Sequence, residues 1–401
     1  MSDIMRIGFL PLVDAALPIL ARELGLGEEE GLALDLVRDM SWATVRDRLV
    51  YGRTDAAHLL APLAIASTLG LDRPAAPLSV PFVLGLNGNA VTLSITLADE
   101  VAPDTGDLGD PVATGHRLAA VARTRAASGV KLRLGVVHRY SSHNYILQYW
   151  LRGSGASLDD IDIVTIAPPF AADALAAGEV DGICVGEPWN SVAVDRGVGR
   201  IVTVTARIWQ RGVEKVLAMR SDRLDEDPGR AHRLIRALYR AGEAFIDPDR
   251  LSSNAALLAR ADYLDGSAAV IERAISDRIV LRAGAAPTAI PDFMFQHREA
   301  ANFPWVSQAA WLYSQMVATG HLVRSDADYT RAQAVFRPDV YRAALTATGV
   351  PLPGARSKLE GGVSSPLAVG TTQGRLTLGP DLFFDGRSFD PDRLTDYLAG
   401  A

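Results

Sequence analysis

With 401 residues, 48% hydrophobic and 22% charged, the chain has the make-up of a globular protein long enough for two or three cored domains, which excludes a disordered or fibrous polymer. A net charge of −7, with no dense Lys/Arg block to neutralise phosphates, excludes direct nucleic-acid binding. The one cysteine, Cys184, excludes an intrachain disulfide or a cysteine metal cluster, and its place in the apolar run GICVG reads as core filling. The histidines (58, 116, 138, 143, 232, 297 and 321) lack zinc-type spacing, so neither metal nor cofactor is assigned.

The chain opens MSDIMRIGFLPL, so a first strand is expected within about five residues of the start, with no basic, apolar leader ahead of it. No apolar run reaches the roughly 18 residues that a membrane span needs. The expectation from these two features is a cytoplasmic protein with no membrane partner.

An internal repeat organises the chain. RIGFLPLVDAALPILARELGL from Arg6 parallels RLGVVHRYSSHNYILQYWLRGSG from Arg133: Arg, aliphatic, Gly, a short strand, a polar bend and a helix. GRTDAAHLLAP from Gly52 parallels GEVDGICVGEP from Gly178 at nearly the same offset, each with an Asp three residues after the Gly and a Pro ten after it. Between these pairs, both halves carry a β-rich run and an amphipathic helix ending in Gly. Each half therefore predicts β-α-β-α-β, an open α/β sheet with a ligand site outside the carboxyl ends of its strands. In the first lobe those ends fall at 11–14, 41–42 and 58–62, and in the second at 138–143, 168–170 and 186–190.

Between the lobes, PFVLGLNGNAVTLS (81–94) predicts an outgoing crossover strand interrupted at Asn87 and Gly88, and EKVLAMR (214–220) the strand that returns. Residues 97–130 read as a Pro/Gly/Asp-rich loop and a polar helix, and residues 223–348 as mostly helical. The expected organisation is a first lobe over 1–93, a second over 94–214, a largely helical return to the first lobe over 215–350, and a C-terminal extension over 351–401. Phe383 and Phe384 predict that this extension docks.

DGICVGEPWN (181–190) places Gly186 at a strand end, where the backbone turns closely, and Pro188 at a helix start. Glu187 then suits the positive end of that helix's dipole. With no partner carboxylate, Ser-His pair or metal motif beside it, Glu187 is not assigned acid–base work, and no catalytic residue is assigned at all.

The ordered set SWATVRDRLVYGRTDAAHLLAPL, LNGNAVTLS, DGICVGEPWN, EKVLAMR and ANFPWVSQAAWL resembles the nitrate- and bicarbonate-binding proteins of ABC importers over about residues 5–345. The resemblance implies a type II periplasmic-binding-protein fold, two α/β lobes with a small planar oxyanion held in the cleft. By matching segments, its ligand-binding residues fall on Trp42, Asn89, His143, Gly186 and Lys215, with His58 and Glu187 behind them. Asn89 stands where the nitrate binders are expected to have Gln. Lys215 stands where the bicarbonate binders carry a carboxylate that holds a metal, so a metal-free anion is implied. The chemistry agrees: nitrate needs in-plane donors and a countercharge, which Lys, His, Asn and Trp supply. The missing leader and the extension after residue 350 resemble the cytoplasmic nitrate/nitrite sensors of the NasS type. That resemblance implies a non-enzymatic switch that holds an RNA-binding antiterminator of the NasT type until nitrate or nitrite releases it. The alternatives are the binding component of a nitrate importer and a cytosolic enzyme on the same fold.

Overall fold

The two Gly-x-x-Asp segments pin the same joint in each half of the computed structural model, which describes residues 3–102 and 108–400. Gly52 and Gly178 take φ of 66° and 67°, the left-handed region open to glycine, just after the helices Trp42–Val50 and Ala171–Ala176. Three residues on, the Asp55 carboxylate accepts from the Arg6 N–H at 2.8 Å while its own N–H donates to the Arg6 carbonyl at 2.8 Å. Asp181 does the same to Arg133, at 2.8 Å and 2.8 Å. Each Asp also holds a guanidinium at 3.0 Å, Arg230 on Asp55 and Arg125 on Asp181. The shared Asp thus fixes the third strand of each half beside the first.

Around these ties the chain builds β1 (Asp3–Phe9), β2 (Leu32–Arg38), β3 (Ala56–Leu60), β4 (Leu78–Asn87), β5 (Asn89–Ser94), β6 (Leu132–Val136), β7 (Ile161–Thr165), β8 (Gly182–Gly186), β9 (Gly199–Val204) and β10 (Val213–Arg220). One sheet runs β2-β1-β3-β10-β4, with a short strand Met294–Phe295 at its edge, and the other β7-β6-β8-β5-β9. The two orders correspond strand for strand. In each, the first three strands are parallel, as β-α-β-α-β requires, and the fourth is antiparallel. The reason is the crossover: β5 and β10 each enter from the other lobe, so they run away from the cleft where their neighbours run toward it.

The outgoing crossing turns at Asn87 and Gly88, with φ of 58° and 83°. It is tied to the returning one, since the Asn87 side chain donates to the Gln210 carbonyl at 2.9 Å and its N–H to the Gly212 carbonyl at 2.9 Å. Beyond β10 the chain is largely helical, but residues 278–279, 288–289 and 294–295 form short strands that the helical reading does not contain. Part of the loop expected within 97–130, residues 103–107, lies outside the described residues. Among the described residues no helix is long and apolar enough to cross a membrane.

The extension docks across both lobes. Phe383 stacks on Trp209 with ring centroids 4.9 Å apart and on Trp311 at 5.6 Å, contacts worth about 0.5–1.5 kcal/mol each beyond area burial. Trp209 closes the short helix after β9, and Trp311 lies on the helix Val306–Ala318, which packs on Ala61–Leu69 of the first lobe. The Phe384 N–H donates to the Ile208 carbonyl at 2.8 Å, and the Tyr149 hydroxyl to Asp385 at 2.8 Å.

Candidate functional site

The carboxyl ends of the two sheets meet around Lys215. Trp42 and His143 sit at the starts of the helices that follow β2 and β6, each set by a serine cap: Ser41 Oγ accepts from Thr44 N at 3.2 Å, and Ser141 Oγ from Asn144 N at 3.1 Å. Asn89 opens β5 directly after the Gly88 turn, and Gly186 closes β8 opposite it. A Cβ on Gly186 would lie 3.2 Å from Asn89 Oδ1 and 3.5 Å from Asp14 Oδ2, so a larger residue here would press on Asn89. Trp42, Asn89, His143 and Lys215 are all buried, which is exceptional for a lysine unless it is paired.

Lys215 is paired twice. Its Nζ lies 2.8 Å from Asp14 Oδ2 and also bonds Glu214. His58 Nε2 holds the other Asp14 oxygen at 2.8 Å, and the Trp42 ring lies beneath the ammonium, 5.2 Å from Nζ to centroid. Adjacent residues of a strand ordinarily point to opposite faces. Here β10 is bulged: Val213 pairs with Leu86 and Lys215 with Gly85, so two steps of β10 oppose one of β4 and Glu214 turns into the cleft beside Lys215.

Burial weakens the basicity of Lys215, but Asp14 and Glu214 outweigh it and hold the ammonium above its usual range. Burial likewise works against the Asp14 carboxylate, and Lys215 with His58 overcomes it, so Asp14 stays well below the usual carboxylate range. Glu214 has less compensation, and burial pushes it up to about 7 against the pull of Lys215. Burial pushes His143 far down, with Lys215 adding to the effect, and pushes His58 down despite Asp14.

Several polar atoms here have no hydrogen-bond partner within the protein: Trp42 Nε1, both amide atoms of Asn89, and both ring nitrogens of His143. A buried polar group left unbonded costs about 1–3 kcal/mol. Their convergence from both lobes on a buried ammonium describes a site for a small polar ligand that accepts hydrogen bonds.

Of the seven residues singled out from the sequence, Trp42, Asn89, His143, Gly186, Lys215 and His58 gather at this cluster, while the Glu187 side chain does not. His58 reaches the cluster through Asp14. Glu187 turns its carboxylate back to the helix Trp189–Asp195, accepting from Ser191 N at 3.3 Å, and burial lifts it to about 7. Lys215 is not a free countercharge, because Asp14 and Glu214 already face it. The sequence marks Asp14 only as part of the strand end at 11–14, and it gives Glu214 no role. Among the described residues no group of three or more His, Cys, Asp or Glu side chains is arranged to hold a metal ion.

Residues 2–259 match the model of the NMT1-like family. The nitrate/nitrite binding protein NrtA of Synechococcus elongatus is 30% identical over 404 residues, spanning 99% of this chain and 85% of that protein. The nitrate import ATP-binding protein NrtC of a Synechocystis species is 30% identical over 350 residues, covering 86% of this chain and 50% of that protein. The crystal structure of the periplasmic nitrate-binding protein NrtA from Synechocystis PCC 6803 superposes with a TM-score of 0.85 at 24% identity, over 99% of this chain and 97% of that one, and so shares its two-lobed fold. The two NrtA matches, each over 99% of this chain, run through the C-terminal extension, which corrects its reading as a departure from the nitrate-binding proteins.

Proposed function

On the premise that the chain belongs to the NMT1-like family, among the relatives of the substrate-binding proteins of nitrate and bicarbonate ABC importers, we propose that it binds nitrate or nitrite in the cleft between its lobes and is a binder rather than a catalyst. The observation that carries this reading is the set of buried, unbonded polar groups, Trp42 Nε1, the Asn89 amide and the His143 ring, gathered from both lobes around Lys215 and its partner Glu214. A planar monoanion accepts in-plane hydrogen bonds from such groups, each worth about 1.5–3 kcal/mol when one partner is charged. Titration calorimetry with nitrate, nitrite, bicarbonate and sulfate tests it. Binding of bicarbonate or sulfate in preference to both nitrogen oxyanions would overturn the assignment.

The use we propose for this binding is that of a cytoplasmic sensor: the ligand-bound state releases an RNA-binding antiterminator that the free state holds. A ligand shifts such an equilibrium only through its differential affinity, and a coupling of about 1–3 kcal/mol corresponds to a 5- to 150-fold change in either partner's affinity. The second reading, a receptor that delivers the anion to a membrane permease, is favoured by the importer protein NrtA matching this chain through its extension. Co-purification from cells grown without nitrate separates the two. A soluble RNA-binding partner shed on nitrate addition supports the sensor, and stimulation of a permease ATPase by the loaded protein supports the receptor.

A further inference from the structure

Lys215 is outnumbered. Two buried carboxylates, Asp14 and Glu214, share one ammonium, so with both imidazoles neutral the cluster carries one negative charge in excess before any anion arrives. A monoanion would then enter a buried site of its own sign. Among the groups gathered there, one pair can absorb the difference: His143 Nδ1 and Glu214 Oε1 lie 3.1 Å apart, and neither atom makes a hydrogen bond. With the one ring proton of neutral His143 on Nε2, toward the ligand, Nδ1 and Glu214 Oε1 face each other as two acceptors, and one added proton on Glu214, donated to Nδ1, satisfies both.

We propose that the anion is taken up together with one proton, lodged on the Glu214–His143 pair, and that Glu214 thereby sets the pH dependence of binding and the preference for monoanions. This rests on the reading of the cleft as an anion site. The balance is simple: anion and proton leave solvent together, the proton joins the pair, and no covalent bond is made or broken.

The other groups facing Glu214 do not take that place. Lys215, next to it on β10, is already protonated and donates to both carboxylates. Asp14, from the segment after β1, is held ionised by Lys215 and His58. His58 on β3 gives one ring nitrogen to Asp14. Cys184 on β8 is kept as a thiol by burial and by Glu214 itself. Asn89 and Trp42 do not titrate, and Glu187 turns its carboxylate toward Ser191. Burial already brings Glu214 up to about 7, so a negative neighbour raises it further and the proton is captured near neutrality. A dianion would need two protons where the pair holds one, which selects against sulfate.

The test is nitrate calorimetry on the full chain from pH 6 to 9.5, run in buffers of unlike ionisation enthalpy. Below about 7, where Glu214 already holds its proton, affinity is level; above it, affinity falls toward tenfold per pH unit, and the heats differ between buffers by the uptake of one proton. Glu214→Gln removes both signatures and binds nitrate at pH 9 at least as tightly as the unaltered chain. Affinity independent of pH with buffer-independent heats overturns the proposal even if the variant fails to fold, and a folded Glu214→Gln that keeps the pH dependence overturns the role of Glu214. Nitrate failing to bind at any pH sinks the anion-site reading itself, an outcome distinct from binding without proton uptake.

Discussion

The two lobes share a strand order and a joint but not a charge. The sheets place the lobe boundaries at the crossings rather than after residues 93 and 214, since β5 (Asn89–Ser94) belongs to the second sheet and β10 (Val213–Arg220) to the first. At the cleft the first lobe therefore brings Asp14, His58, Glu214 and Lys215, whereas the second brings Asn89, His143 and Gly186, none of them charged when His143 is neutral. Every ion pair of Lys215 lies within the first lobe, so this wall is assembled whether or not the lobes meet. Across the cleft at this cluster the ties between lobes are weaker in kind: the Val13 N–H donates to the Glu187 carbonyl at 2.9 Å, and His143 faces Glu214 without a hydrogen bond, while the ion pair Arg273–Asp195 at 2.9 Å joins the lobes outside the cluster. The repeat therefore supplies two matching frames. Divergence has made one an electrostatic wall and the other a set of neutral donors.

Substitutions on the two walls should then fail differently. Lys215→Ala has the largest expected effect, because it leaves Asp14 and Glu214 buried and unmatched. Loss of one member of a buried pair costs about 3–5 kcal/mol, so the denaturant midpoint falls and nitrate binding drops below calorimetric detection. Adding Glu214→Gln to that variant should recover part of the stability, and no recovery would mean the charge balance is misread. Asn89→Ala on the neutral wall weakens nitrate binding by about 1.5–3 kcal/mol, roughly 10- to 150-fold, with little loss of stability, since its amide lies near Glu214 but makes no well-aligned hydrogen bond in the protein. Equal losses of fold and of affinity in Asn89→Ala would erase the contrast between the lobes.

The smallest effect is expected at Glu187, the second lobe's buried carboxyl. Burial raises it from the ordinary 4.5 to about 7, so between those values the folded state holds a proton that the unfolded state releases. Its contribution to stability therefore falls as pH rises through that window and is level above it. Glu187→Gln should flatten that slope and raise stability at pH 8 by on the order of 1 kcal/mol. Thermal unfolding at pH 5 and pH 8 reads this directly, and an unchanged difference between the two temperatures would contradict it.

The repeat was legible because it is carried by residues with one local job each. Gly52 and Gly178 end helices, and Asp55 and Asp181 tie strands, so the same letters recur wherever the same backbone does. The cluster around Lys215 was legible only in part. A lysine within an apolar strand stands out in any sequence, but the alternation rule sends Glu214 to the opposite face, and the bulge that overrides it depends on the pairing of β10 with β4, which local sequence does not encode. Asp14 was hidden for a related reason: its partners, His58 and Lys215, are distant in sequence and meet it only once the sheet has formed. The antiparallel fourth strands escaped the repeat because each belongs to the sheet of the lobe it enters.

The aromatic pile of Trp209, Trp311 and Phe383 sits beside the crossing strands, where Gly212 lies against both Trp209 and Asn87. A rigid rotation that parts the two sheets while keeping the pile intact must have its axis pass close to those rings. Displacement then grows with distance from that axis, so the rim of the cleft travels far while the extension hardly moves. A spectroscopic label at the carboxyl terminus would stay nearly silent during ligand binding, and a pair placed across the rim would register the full stroke.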